Sequence, residues 1–228
     1  MKTESNICNA ELVKVSKVFS RSGNETVALN NVSFKVNQGE LVLLLGPSGS
    51  GKTTLLTLLA GFQKPSSGEV YIFGKRVQDY SASALQKIRA RQMGFIFQTF
   101  CLLDSLRVLE NVTLVMKFAG IPEKSARRHA IECLERFGIS HLSNEFPGKL
   151  SQGEKQRVAV ARAIANGSKM VLADEPTGSL ATEQGMAIIE FLHNSVKKDG
   201  LSVVIASHDD RISNYADRIH CLRDGTLI

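Results

Sequence analysis

The sequence predicts an α/β protein with a mainly parallel sheet, an antiparallel β region toward its N-terminal side and an inserted helical subdomain. Three observations lead there. Leu41–Leu45 is a short, wholly apolar run closed by glycine, the pattern of a buried strand. Two further runs, Met170–Ala173 and Ser202–Ala206, flank the helical pattern Glu183–Lys198. Strands alternating with helices argue for a parallel sheet covered on both faces. Between Thr99 and about Gly148 the patterning turns helical and little reads as strand.

The elements follow in order. Alternation over Leu12–Val18 and over Val27–Val36 predicts two strands, and Asn37-Gln38-Gly39 predicts a turn into the buried strand. Lys52–Ala60 reads as a helix that Gly61 ends. Lys64-Pro65-Ser66-Ser67-Gly68 is a turn, with strands expected at Val70–Phe73 and Phe95–Phe97. Leu109–Phe118, Glu123–Phe137 and Ser151–Ala165 read as helices, so a helical subdomain is expected over about 99–165. Arg218–Leu222 and Asp224-Gly225 predict a last strand and turn. With 228 residues, the simplest organisation is a single domain, 1–228, carrying that lobe.

Composition excludes several classes. The longest apolar run is far shorter than the roughly 20 residues of a membrane-spanning helix. Met1–Ala10 is polar and lacks a signal-peptide core, so a cytoplasmic chain is expected. Cys8, Cys101, Cys133 and Cys221 are widely spaced with no CxxC pair, which predicts four free thiols rather than a metal site. A net charge of +6 could favour nucleic acid or an anionic membrane. Yet the basic residues are scattered, and aromatics do not interleave with the short clusters Lys87–Arg91 and Lys124–Arg128. No nucleic-acid partner is expected.

Gly46-Pro47-Ser48-Gly49-Ser50-Gly51-Lys52-Thr53 matches the spacing of a phosphate-binding loop and lies between a predicted strand and a predicted helix. Glycines let backbone N–H groups converge on phosphates, and the helix N-terminus adds positive dipole. Lys52 should reach the outer phosphates, and the Thr53 hydroxyl should ligate Mg²⁺. A glycine- and serine-rich turn would be the plain alternative, but the flanking elements argue against it. Met170–Ala173 runs into Asp174 and Glu175. Beside a phosphate loop, Asp174 suits the Mg²⁺ sphere and Glu175 suits polarisation of an attacking water.

Leu150-Ser151-Gln152-Gly153-Glu154 precedes a long helix, and Ser151-x-x-Glu154 fits a capping box. This stretch also resembles the signature motif of ABC ATPases, and the resemblance continues through Lys155–Ala163 and covers nearly the whole chain. Within that family the sequence is similar to the group that includes LolD, MacB, FtsE and DevA. The segments that carry this are Gly46–Leu56, Gly94-Phe95-Ile96-Phe97-Gln98, Leu109-Glu110-Asn111-Val112, Ala173–Leu180 and Ala216-Asp217-Arg218-Ile219.

The resemblance implies an ATP-binding and ATP-hydrolysing subunit with a P-loop NTPase core. It implies ATP contacts from Phe19, from Gly46 through Thr53 together with Thr54, and from Ser151, Gln152 and Gly153. Phe19 would stack on adenine; otherwise it is an ordinary core residue of the first strand. Gln98 would contact Mg²⁺ and water, and His208 would act at the γ-phosphate beside Glu175 and Lys52. The family pattern implies a head-to-tail homodimer on ATP binding, a separate integral membrane permease, and a peripheral place on the inner face of the cell membrane. Export or extraction of a lipid, lipoprotein, peptide or drug is the expected work, with a non-transporting signalling or scaffolding module as the alternative. Gln152, Glu154 and Ala181 depart from the family's usual glycine, glutamine and aspartate, which bears on turnover and on coupling between sites. Asp104 and Arg107 depart from the subgroup's usual proline and threonine in a stretch that faces the membrane subunit in relatives.

Overall fold

The structure, a computed structural model, describes residues 8–21, 24–178 and 180–228. In chain order it begins β1 (Cys8–Arg21), β2 (Asn24–Asn37), β3 (Leu41–Leu45), α1 (Lys52–Leu59), β4 (Ser67–Ile72) and β5 (Lys75–Arg76). Next come α2 (Ala82–Gln92), β6 (Met93–Ile96), α3 (Val108–Ala119), α4 (Glu123–Arg136), α5 (Gln152–Ile164) and β7 (Met170–Asp174). The chain closes with α6 (Thr182–Asp199), β8 (Ser202–Ser207), β9 (Arg218–Arg223) and β10 (Thr226–Leu227). Two compact units emerge, one of the described residues up to Leu85 with His193–Ile228, the other of Gln86–Leu192.

In the first unit, β2, β1, β4 and β5 form an antiparallel sheet in that order. Leu29, Val32, Phe34 and Val36 of β2 are buried while Asn30, Asn31 and Ser33 are exposed, the signature of a sheet with one covered face. A register shift between Leu12 and Val15 keeps the apolar set inward across a bulge. β3 runs parallel to β8 on one side and to β9 on the other, and β10 adds an antiparallel edge. Leu41, Val42, Leu43 and Leu44 are fully buried, as a central parallel strand requires. α1 packs against β8 and against β1 and β4, burying Leu55, Leu58 and Leu59.

In the second unit β6 and β7 form a parallel pair, Met93 opposite Met170 through Ile96 opposite Ala173. α3, α4 and α5 share a core of Val108, Leu109, Val112, Met116, Ala126, Ala130, Leu134, Val158 and Ala161. Buried Asn111 organises the loop before α3. Its Oδ1 accepts from the Leu103 N–H (2.8 Å), and its Nδ2 donates to the carbonyls of Leu103, Leu106 and Arg107. α5 also packs on β6, where Gly94 lets the helix close in: a Cβ there would lie 1.9 Å from the Ala163 carbonyl oxygen.

The structure adds elements that the patterning did not predict. α2 is a basic helix with only Leu85 buried, so it has no apolar stripe to read. Ser81 starts it by accepting from the Ala84 N–H (3.2 Å), a cap present in the sequence but without the usual periodic run behind it. β5 and β10 are two residues long, too short for alternation to register. The four cysteines are free thiols. Among the described residues no helix is long and apolar enough to cross a membrane.

Gly94→Ala should force α5 away from β6 and lower stability by about 1–3 kcal/mol, the usual cost of overpacking. Urea unfolding checks this, and an unchanged midpoint would contradict the tight contact.

Candidate functional site

The first unit holds the phosphate loop. Leu45 lies opposite Ser207 on one side and Cys221 on the other, so the loop leaves the sheet between two parallel neighbours. The Gly46 N–H donates to the Ser207 carbonyl (3.2 Å), and the Gly225 N–H donates to the Ser50 carbonyl (3.1 Å). These bonds fix the base of the loop while Pro47, Ser48 and Gly49 stay exposed. Gly51 is the N-cap of α1 at φ 107°, a left-handed conformation in which a Cβ would meet the Ala28 carbonyl oxygen at 2.4 Å. Lys52 is buried, and its Nζ donates to the carbonyls of Gly46 (2.7 Å) and Pro47 (3.0 Å). The first turn of α1 carries no acidic residue, which leaves its positive end to an external anion. Thr53 is exposed on that turn, and Thr54 follows half-buried.

His208 belongs to the same unit. It follows β8, the strand beside the loop strand, and is exposed. The turn beyond it is closed by Asp209, whose N–H donates to Ser207 Oγ (3.2 Å). The Asp209 carboxylate accepts from the Arg211 N–H (3.0 Å), Nε (2.8 Å) and Nη2 (2.7 Å). Those hydrogen bonds from Arg211 hold the Asp209 carboxyl below its ordinary range. Phe19 lies on β1 opposite Thr26, 39% exposed, with the Lys17 ammonium 5.0 Å from its ring centroid. It is therefore a surface aromatic and not the core residue that was its plain alternative.

The second unit holds the carboxylates. Because Ile96 lies opposite Ala173, Gln98 and the pair Asp174 and Glu175 emerge at the same end of two neighbouring strands. Gln98 is exposed; Asp174 and Glu175 are half-buried. Glu175 has φ 48°, and its carbonyl accepts from the Gly178 N–H (3.1 Å). A non-glycine residue held left-handed costs about 1–3 kcal/mol, and such strain gathers at functional sites.

Ser151 caps α5 as its pattern predicts. Its Oγ accepts from the Glu154 N–H (3.3 Å), and Glu154 Oε2 accepts from the Ser151 N–H and Oγ, both at 2.8 Å. The Ser151 hydroxyl and N–H hold the Glu154 carboxyl below its usual value, so its charge persists beside the helix start. Ser151 and Gln152 are exposed and Gly153 is half-buried. Two residues of α5 went unread in the sequence. Buried Gln156 donates Nε2 to the Pro176 carbonyl (2.6 Å), tying the capped helix to the segment just after Glu175. Arg162 binds carbonyls just after Gln98. Both are side-chain contacts to backbone far away in sequence, for which spacing gives no signal.

The donors suit Mg²⁺ by their chemistry. Thr53 offers a hydroxyl, Asp174 a carboxylate and Gln98 an amide oxygen, all hard ligands. Among the described residues no group of three or more His, Cys, Asp or Glu could hold a metal ion. Mg²⁺ is commonly held by one or two protein oxygens, phosphates and water rather than by a protein cage.

Residues 29–178 match the ABC transporter family. The chain is 39% identical to the uncharacterized ABC transporter ATP-binding protein MJ1508 of Methanocaldococcus jannaschii, over 96% of this chain and 97% of that protein. It is 40% identical to the macrolide export ATP-binding/permease protein MacB 2 of Yersinia pestis bv. Antiqua, over 95% of this chain but 32% of that protein. The structure resembles the dimeric ABC transporter cassette MJ0796, also of Methanocaldococcus jannaschii, with a TM-score of 0.90, 38% identity and 96% coverage of both chains. A post-hydrolysis state of that cassette bound to ADP and Pi matches with the same TM-score at 37% identity and 96% coverage of both. The chain belongs to the ABC transporter family, as one of its ATP-binding, ATP-hydrolysing cassettes.

Ser151→Ala removes the cap of α5 and should cost about 0.5–2 kcal/mol. Chemical denaturation checks it; Ser151→Asp, which can still cap, should recover most of the loss.

Proposed function

We propose that this chain is the motor subunit of a transporter, a single cassette over 1–228 with a helical subdomain at about 99–165. It would power export or extraction of a lipid, lipoprotein, peptide or drug through a separate integral membrane permease. The carrying observation is the phosphate loop, whose base is fixed to Ser207 and Gly225 while its rim and the acid-free start of α1 stay open. ATP phosphates take the Gly46–Thr54 backbone and displace the carbonyls that now hold Lys52 Nζ. Phe19 offers its exposed face to adenine. Thr53, Gln98 and Asp174 are the groups that would hold Mg²⁺, which when bound neutralises phosphate charge.

Glu175 accepts a proton from the attacking water as its oxygen bonds the γ-phosphorus and the bond to the β–γ bridging oxygen breaks. ADP and phosphate leave. Gln98 orients the water and His208 donates to the γ-phosphate. Ser151, Gln152 and Gly153 supply a second capped helix start for an anion, and a partner copy arranged head to tail would use it to cover the phosphates. The dimeric state of the similar MJ0796 cassette supports a partner copy, and the similar macrolide export ATP-binding/permease protein MacB 2 supports a membrane partner. The place of work is then the inner face of the cell membrane.

Glu175→Gln should retain ATP binding, accumulate as an ATP-bound dimer and lose at least about 100-fold in turnover, the scale of a lost general base. Unchanged phosphate release would remove Glu175 from that role. Phe19→Ala should leave stability within about 0.5 kcal/mol, as exposed positions usually do, while weakening ATP binding by equilibrium titration.

A further inference from the structure

The last turns of α5 carry polar side chains that the assigned site does not use. Arg162 donates Nη2 to the Phe100 carbonyl (2.6 Å) and Nη1 to the Cys101 carbonyl (2.5 Å). Phe100 and Cys101 have φ of 60° and 49°, two successive non-glycine residues in the left-handed region. That region is sparsely populated for any residue with a Cβ, and a pair in sequence needs an external hold. A planar guanidinium with donors at fixed spacing can grip two adjacent carbonyls at once; an ammonium is a single point charge. Burial pushes the guanidinium of half-buried Arg162 below its usual value.

The grip is one of several made by the helix and the turn that follows it. Asn166 donates to the carbonyls of Ala90 (2.7 Å) and Met93 (3.1 Å), at the entry to β6. Gly94 meets the Ala163 carbonyl. Helix α5 and the turn that follows it therefore hold the chain both before β6 and after Gln98. From Arg162, the Ser151 cap at the helix's other end is 11 residues away, about 17 Å at 1.5 Å per residue.

We propose that Arg162 is the positioning residue of the Gln98 turn. It holds Phe100 and Cys101 left-handed, fixes where Gln98 leaves the end of β6, and ties that place to the helix that begins at Ser151. It acts through that turn, on the Phe100 and Cys101 carbonyls. The proposal rests on the reading of Gln98 as a group at the attacking water.

Arg162→Lys keeps the charge and loses the fork. Amide hydrogen exchange over residues 97–103 should quicken by about tenfold or more, read at the Phe100 and Cys101 N–H groups that now bond Phe97 and Thr99. ATP affinity at the phosphate loop should stay unchanged while turnover falls about tenfold, a loss in kcat and not in binding. Gln98→Ala added to Arg162→Lys should cost little more than either alone. Cys101→Gly adopts positive φ without a Cβ, so in the Arg162→Lys background it should restore part of the turnover. Unchanged exchange in this segment, or losses that simply multiply, would overturn the proposal. If Gln98→Ala alone keeps full turnover, Gln98 loses its assigned role; the exchange rates then still decide whether Arg162 holds the turn.

Discussion

The phosphate loop depends on one constraint, the burial of Leu41, Val42, Leu43 and Leu44 in a strand set between two parallel neighbours. A strand paired on both edges and covered on both faces cannot shift register without exposing its leucines. That rigidity fixes the point where Gly46 leaves the sheet. The Gly46 bond to Ser207 and the Gly225 bond to Ser50 then anchor the loop to the strands beside it. With its base fixed, the loop can leave its rim exposed and bend Lys52 back over its own carbonyls. Under the proposed function, arriving phosphates would take the ammonium over from those carbonyls.

In the second unit the same role falls to α5. Its start is capped by Ser151 with Glu154, its middle reaches Pro176 through Gln156, its end reaches Phe100 and Cys101 through Arg162, and the turn after it reaches Ala90 and Met93 through Asn166. Of the backbone so held, Pro176, Phe100 and Met93 are buried, where an unpaired carbonyl is costly. The departures Gln152 and Glu154 sit at that capped end, one exposed and the other holding the cap. Under the proposed head-to-tail arrangement, their bearing on turnover would run through the surface offered to a partner and the charge beside it.

Much of this was legible in the residues. The apolar runs of β3, β7 and β8 announce strands because parallel strands bury both faces. The loop spacing announces phosphate binding because glycines, a helix start and a lysine have few other reasons to coincide. Ser151-x-x-Glu154 announces a cap, and the cap is there. Helix α2 escaped because it buries one side chain and so shows no stripe. For Phe19 the residues left two readings, an adenine-stacking aromatic or a core residue, because an aromatic in an alternating strand reads equally well on either face.

The sequence by itself determined the class of fold, the phosphate loop, the order of the carboxylates after β7 and the family. These are local or periodic features, set by nearest neighbours and by the rise of helix and strand. Only the tertiary structure decided that Gln98 emerges level with Asp174 and Glu175, that Glu175 sits left-handed, and that Arg162 and Gln156 reach backbone 20 to 62 residues away. Register between strands and long-range polar contacts depend on how the whole core closes, and no local pattern records them.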